Sequence, residues 1–178
     1  MSQDLINNCL RNDRAAQKQL YHAHKQRLMA LIYRYTLEVN TAQDLLQETF
    51  ILVFRKLDKY DEAKGSFESW TARIAINKFL EMKRKKNELS YGIEVEEHLL
   101  GYENSVLDSM TIEELRSLIA KLPEVHRVIL NLFYFEDYDH KEIGELLNIA
   151  PSSSRSRLTR ARKLLETNWN NLNVSKAL

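Results

Sequence analysis

Glycine and proline are scarce in this chain, with four Gly and two Pro among 178 residues. Few positions therefore break a helix or demand a tight turn, and an all-α protein is the first expectation. Cysteine is scarcer still. The single Cys9 excludes an internal disulfide framework and leaves no thiol cluster for zinc. Set among Leu5, Ile6 and Leu10, it reads as a core residue. No apolar run approaches the ~20 residues that span a bilayer, so no membrane insertion is expected. Met1-Ser2-Gln3-Asp4 lacks the basic-then-apolar layout of a signal peptide, which makes the cytoplasm the expected location.

A length of 178 residues suits one ordinary domain or two small ones. Net charge is also nearly absent, at +1, but the total hides a pattern. Between Gly65 and Lys86 stand six basic residues, Arg73, Lys78, Lys83, Arg84, Lys85 and Lys86, against two acids, Glu68 and Glu81. Between Asn87 and Leu115 stand eight acids and no Lys or Arg. Between Ala150 and Leu165 come five basic residues, Arg155, Arg157, Arg160, Arg162 and Lys163, and no acid. Two basic blocks thus flank an acidic connector, giving two candidate polyanion-binding surfaces.

Helical periodicity organises the first block. Asn12 or Asp13 can cap a helix whose apolar stripe includes Ala16, Leu20, Leu28, Leu31 and Ile32. Thr41-Ala42-Gln43-Asp44 resembles a capping box and predicts a helix start there. That helix carries Ala42, Leu45, Leu46, Phe50, Val53, Phe54 and Leu57 inward and Asp44, Gln47, Glu48 and Arg55 outward. Residues 58–65 form a polar loop ending in Gly65, and Ser66 can cap a helix reaching about Lys86. Its core face gathers Ala72, Ala75, Ile76, Phe79 and Leu80. Trp70, Arg73, Ile74 and Asn77 fall opposite, joined by Arg84. Trp70 either packs under a neighbouring helix or offers its ring to an unstacked base, as single-strand binding needs.

Residues 88–111 lack sustained periodicity and read as a linker. Thr111 can then cap a helix through Leu122, and Pro123 suits the start of another running to about Tyr134. Asp139-His140-Lys141-Glu142 is a second capping-box pattern, with Ile143, Leu146 and Leu147 inward. Asn148 stands where a left-handed turn residue is required, and Pro151 opens the last helix. Helix, short turn and basic helix make a helix-turn-helix. With Leu158, Ala161 and Leu165 inward, Ser152, Arg155, Ser156, Thr159 and Arg160 point outward. Arg can donate two hydrogen bonds to guanine, and Ser or Thr can reach bases or phosphates. Arg157, Arg162 and Lys163 lie towards the flanks, where phosphate contact is the expectation.

Catalytic signatures are missing. His22 and His24 diverge by about 200° on a helix, His98, His126 and His140 are scattered, and no Gly-rich phosphate loop or nucleophile motif appears. No cofactor, metal or catalytic residue is expected. A DNA-binding regulator that never joins a polymerase stays open at this point, although it leaves the Asp44–Phe50 face and the Trp70 helix without a task.

Four stretches, taken in order, resemble the extracytoplasmic-function group of bacterial sigma factors. They are Asp44-Leu45-Leu46-Gln47-Glu48-Thr49-Phe50, Phe67-Glu68-Ser69-Trp70-Thr71-Ala72-Arg73-Ile74-Ala75-Ile76-Asn77, Leu122-Pro123-Glu124-Val125-His126-Arg127, and Lys141-Glu142-Ile143-Gly144 followed by Ser156-Arg157-Leu158-Thr159-Arg160-Ala161-Arg162. The likeness covers about residues 4–167. It implies two small helical domains joined by a linker: residues 1–87 for core polymerase and the −10 element, 88–111 as tether, and 112–170 for the −35 element. Asp44, Gln47 and Glu48 would meet core RNA polymerase. Tyr60, Trp70, Arg73, Asn77 and Arg84 would recognise and melt promoter DNA at −10. Ser152, Ser153, Arg155, Ser156, Arg157, Thr159, Arg160 and Arg162 would bind at −35. Factors of this kind are often held by an anti-sigma partner. Ser154 departs from the pattern, which usually has a branched apolar residue there, and Asn148 replaces the usual turn Gly. Fully extended, the tether reaches roughly 80 Å, enough for two domains some twenty base pairs apart at ~3.4 Å per pair.

Overall fold

The computed structural model of the chain describes residues 3–86 and 111–176, and among these there are helices and turns but no strand. The all-α expectation holds. The chain divides into two compact units, Met1–Glu88 and Leu89–Leu178. The linker expected over 88–111 falls, except for Thr111, outside the described residues.

In the first unit Gln3–Leu10 (α1) leads into Arg14–Thr36 (α2). Asp13 starts α2 by accepting hydrogen bonds from the Ala15 and Ala16 amides at 2.8 and 3.2 Å, which satisfies donors that the first turn cannot pair internally. The expected stripe is buried, and Tyr35 extends it. Val39–Arg55 (α3) begins three residues earlier than the Thr41 box predicts. Glu38 is the cap, its carboxylate accepting from the Thr41 amide at 3.3 Å and from the Thr41 hydroxyl. A carboxylate three residues upstream does the work that the sequence pattern assigned to Thr41 itself.

Phe67–Lys85 (α4) is capped by Ser66, which accepts from the Ser69 amide at 3.1 Å. It packs against both α2 and α3. Its buried face is Phe67, Thr71, Ala75, Ile76, Phe79 and Leu80. Thr71 and, on α3, Thr49 enter the core because each hydroxyl donates to the carbonyl one turn back, at 2.9 and 2.6 Å. A second cluster joins Ile6, Cys9, Ala16, Leu20, Val53, Leu57 and Phe67, so α1 is tied to the start of α4. Cys9 lies in the core, as expected.

The second unit comprises Ile112–Ala120 (α5), Glu124–Tyr134 (α6), His140–Leu147 (α7) and Pro151–Lys176 (α8). Thr111 with Glu114, and Asp139 with Glu142, form the capping boxes. Asn148 ends α7 in the left-handed conformation, at φ 55° and ψ 51°. Three residues later α8 starts at Pro151, where a missing amide hydrogen costs nothing. Gly144 makes the tight return possible, since a Cβ there would stand 2.8 Å from the Ile149 carbonyl oxygen. Helix α8 packs on α6 and α7 and continues past Leu165, where Trp169 is buried.

Candidate functional site

Three surfaces carry the residues that the sequence singles out. On α3, Asp44, Gln47 and Glu48 are exposed side by side, and Ile51, 57% exposed, continues the same stripe one turn on. An apolar side chain left in water beside three polar ones suits a surface that another protein covers. Glu48 is held by Lys78 of α4 at 3.0 Å, and Lys78 also reaches Glu81 at 3.6 Å. The hydrogen bond to Glu48 is the main reason that the Lys78 ammonium holds its proton above the ordinary lysine range. A groove of about 590 Å³ runs beside this stripe between α2 and α3, lined by Tyr21, Lys25, Met29, Tyr33, Leu46 and Gln47 among others.

The second surface surrounds the loop before α4. Leu57–Lys59 and Glu62–Lys64 form two 3-10 turns, and Gly65 closes the loop at φ 147°, a conformation that favours glycine. Tyr60 donates from its hydroxyl to the Gly65 carbonyl at 3.3 Å. Its ring meets Phe67 edge-on at 5.3 Å and Trp70 at 5.4 Å. Trp70 also lies 5.6 Å from Phe67. The indole is half-buried, one part packed on this aromatic cluster and the rest open to solvent.

Arg73, Asn77 and Arg84 are exposed farther along α4. Burial and then the carboxylates of Glu62, Glu68 and Asp61 raise the Tyr60 phenol above its ordinary proton affinity. Lys64 pairs with Asp61 at 3.3 Å, so the loop beside the cluster carries both signs of charge, while the half-buried indole offers a flat, neutral face. The cations farther along α4 suit the backbone. His24 supports the cluster from α2, its ring 4.8 Å from Phe67 and its Nδ1 3.6 Å from Glu68.

The third surface is the face of α8. Arg155 and Arg162 are exposed, while Ser152, Ser153, Ser156, Thr159 and Arg160 are half-exposed. Ser156 donates to the Ser153 carbonyl at 3.2 Å and Thr159 to the Arg155 carbonyl at 3.1 Å. Arg162 donates from Nε to the Tyr134 hydroxyl at 2.6 Å, with its guanidinium over that ring at 5.4 Å. The exposed Tyr134 thus restrains one of the expected phosphate contacts, a role that α6 periodicity does not announce.

Arg157 is a correction. Expected at the flank, it is 2% exposed, on the inward stripe with Ser154, Leu158 and Ala161. Those four fall at i, i+3, i+4 and i+7, the core spacing of a helix. At that place Arg157 packs inside the unit, off the face that exposes Arg155 and Arg162. Ser154, also fully buried, lies 2.9 Å through its hydroxyl from Nδ1 of His140. His140 in turn stacks on Phe133, centroids 4.9 Å apart and planes 21° from parallel. Sequence reasoning missed His140 and Lys78. The available signal for His140 was a Ser at a core position, which demands a polar partner.

Among the described residues, no group of three or more His, Cys, Asp or Glu is placed to hold a metal ion. Nor is any helix there long and apolar enough to cross a membrane.

Residues 20–88 match the family model of Sigma-70 region 2, and residues 112–165 match that of Sigma-70 region 4. The ECF RNA polymerase sigma factor SigW of Bacillus subtilis strain 168 is 30% identical over 169 residues, which cover 87% of this chain and 89% of that protein. SigM of the same organism is 30% identical over 156 residues, covering 82% and 92% respectively. Among solved structures, the fold resembles that of the sigma factor RpoE of Bartonella quintana, crystallised with the anti-sigma factor NepR. The TM-score is 0.54 at 20% identity, over 84% of this chain and 94% of that one.

Proposed function

The chain belongs to the extracytoplasmic-function sigma factors, which act with RNA polymerase in promoter-directed transcription initiation, and from that premise we propose how its surfaces divide the work. The α3 stripe of Asp44, Gln47, Glu48 and Ile51 docks on core RNA polymerase. Lys78 holds the Glu48 carboxylate in place for that contact. The loop 57–65 and the Tyr60–Phe67–Trp70 cluster take an unstacked base of the −10 element. Arg73, Asn77 and Arg84 hold the adjoining strand, so that melting is favoured by binding the open form. The α8 face reads the −35 duplex: Arg155, Ser156, Thr159 and Arg160 at base edges, Arg162 and the serines at 152 and 153 on the backbone. The factor does no chemistry itself, works where polymerase works, in the cytoplasm, and has an anti-sigma protein as a third proposed partner.

The observation that carries this reading is the helix-turn-helix whose second helix presents Arg155, Arg160 and Arg162 with no acid from Pro151 to Leu165. Its test is run-off transcription by core polymerase and the purified chain on a randomised promoter library. The expected result is enrichment of two short elements, with Arg155→Ala relaxing the upstream one only. Absence of any enrichment, or loss of core binding by Arg155→Ala, contradicts it.

A further inference from the structure

His140 lies outside the residues that the proposed function uses, yet it touches three helices. It is the first residue of α7, it stacks on Phe133 of α6, and it is hydrogen-bonded to Ser154 of α8. Ser154 is fully buried and directly precedes Arg155, the first exposed cation of α8. The hydrogen bond ties the start of α7 to the first turn of α8. A branched apolar residue at position 154 could fill the same space but would leave α8 free to settle by packing alone. A directional bond of 2.9 Å does not.

We propose that His140 is a positioning residue for duplex recognition, holding the first turn of α8 through Ser154 so that Arg155 meets the base edges in one register. This rests on the reading of α8 as the −35 helix. The charged groups facing the imidazole are Asp139 at its own helix start and Arg155 and Arg162 from α8; the face turned to α6 meets the uncharged Phe133. Burial, followed by those two arginines, holds His140 below the ordinary histidine range, with Asp139 opposing. The ring is therefore neutral near pH 7. As pH falls past the ordinary histidine range and through the lower value of the folded protein, an imidazolium forms. It repels Arg155 from its place and adds a cation to the whole surface. Specific binding weakens while non-specific phosphate binding strengthens.

The experiment uses the holoenzyme and two duplexes: the one that wild type enriches from a randomised library, and a scrambled duplex of equal length. The variants are His140→Phe, Ser154→Ala and the pair together. The double variant keeps the ring stack and strands no buried hydroxyl, so it separates register from stability. Each variant is expected to lower the ratio of specific to scrambled affinity by roughly three- to tenfold, the weight of one internal hydrogen bond. The double variant should be no worse than either single one. The wild-type ratio should fall as pH drops below the ordinary histidine range, and the double variant should stay flat over the same titration. A double variant with the wild-type ratio and the wild-type pH profile overturns the inference while leaving the −35 reading intact. A wild-type holoenzyme without sequence preference overturns both.

Discussion

Asn148 offers a clean perturbation of the helix-turn-helix because it is exposed and sits in the left-handed region at φ 55° and ψ 51°. Substitution there changes backbone strain without opening the core. An ordinary residue in this conformation costs roughly 1–2 kcal/mol, and Asn less because its short polar side chain tolerates it. Asn148→Ala should therefore cost about 1 kcal/mol. Asn148→Val, with a branched Cβ, should cost about 2 kcal/mol. Asn148→Gly relieves the strain but gives the unfolded chain more freedom, so its net gain is small, within about 0.5 kcal/mol.

The assay is urea unfolding of the full chain in a Trp70→Phe background, so that the remaining Trp169, buried in the second unit, reports that unit alone. With a slope of about 1 kcal/mol/M, the Val variant should lose about 2 M from its midpoint and the Ala variant about 1 M. Gly should stay near wild type, with promoter binding unchanged because the turn geometry is kept. A Val variant as stable as wild type would refute the left-handed turn and the placement of α8 that depends on it.

Asp13→Ala removes two accepted hydrogen bonds from the start of α2 and should cost the first unit about 1 kcal/mol, read as a lower thermal midpoint. His24 is held below the ordinary histidine value by burial, which outweighs the opposing pull of Glu68. Its folded form is depressed relative to the unfolded chain, so its contribution is complete above about pH 6.5 and is lost as pH falls through the lower folded value. Unfolding followed at Trp70 from pH 7.5 to 5 should show that loss, and His24→Phe should flatten it. Trp70→Ala should reduce open-complex yield on duplex templates much more than on pre-melted ones, measured by permanganate reactivity of unpaired thymines. Equal loss on both templates would assign Trp70 to packing alone.

Much of the fold was legible because helix signals here are local. The stripes of α2 and α4, the Thr111 cap and the capping box at Asp139 lie in the sequence as local spacings, whereas the reciprocal bond from Glu114 to Thr111 was not read there. Legibility failed where a polar residue occupied a core position. The inward stripe of α8 reads Ser154, Arg157, Leu158, Ala161, so half of it resembles a solvated face, and Arg157 was expected at an exposed flank when it is buried. The start of α3 was misplaced because Glu38 caps from outside the Ser, Thr, Asp and Asn set that marks most helix starts. Contacts between helices were out of reach altogether. Lys78 with Glu48, Tyr134 with Arg162 and His140 with Ser154 are 30, 28 and 14 residues apart, and no periodicity reports such distances.

The central claim is that this chain holds core RNA polymerase through the α3 stripe before any promoter is present. Mixing purified chain with core polymerase in DNA-free buffer and passing the mixture over a sizing column tests it most directly. Wild type should co-elute with core at one copy per enzyme, and Asp44→Arg should elute alone while unfolding at the same urea concentration. A wild-type chain that never travels with core, or an Asp44→Arg chain that travels as well as wild type, would contradict the account.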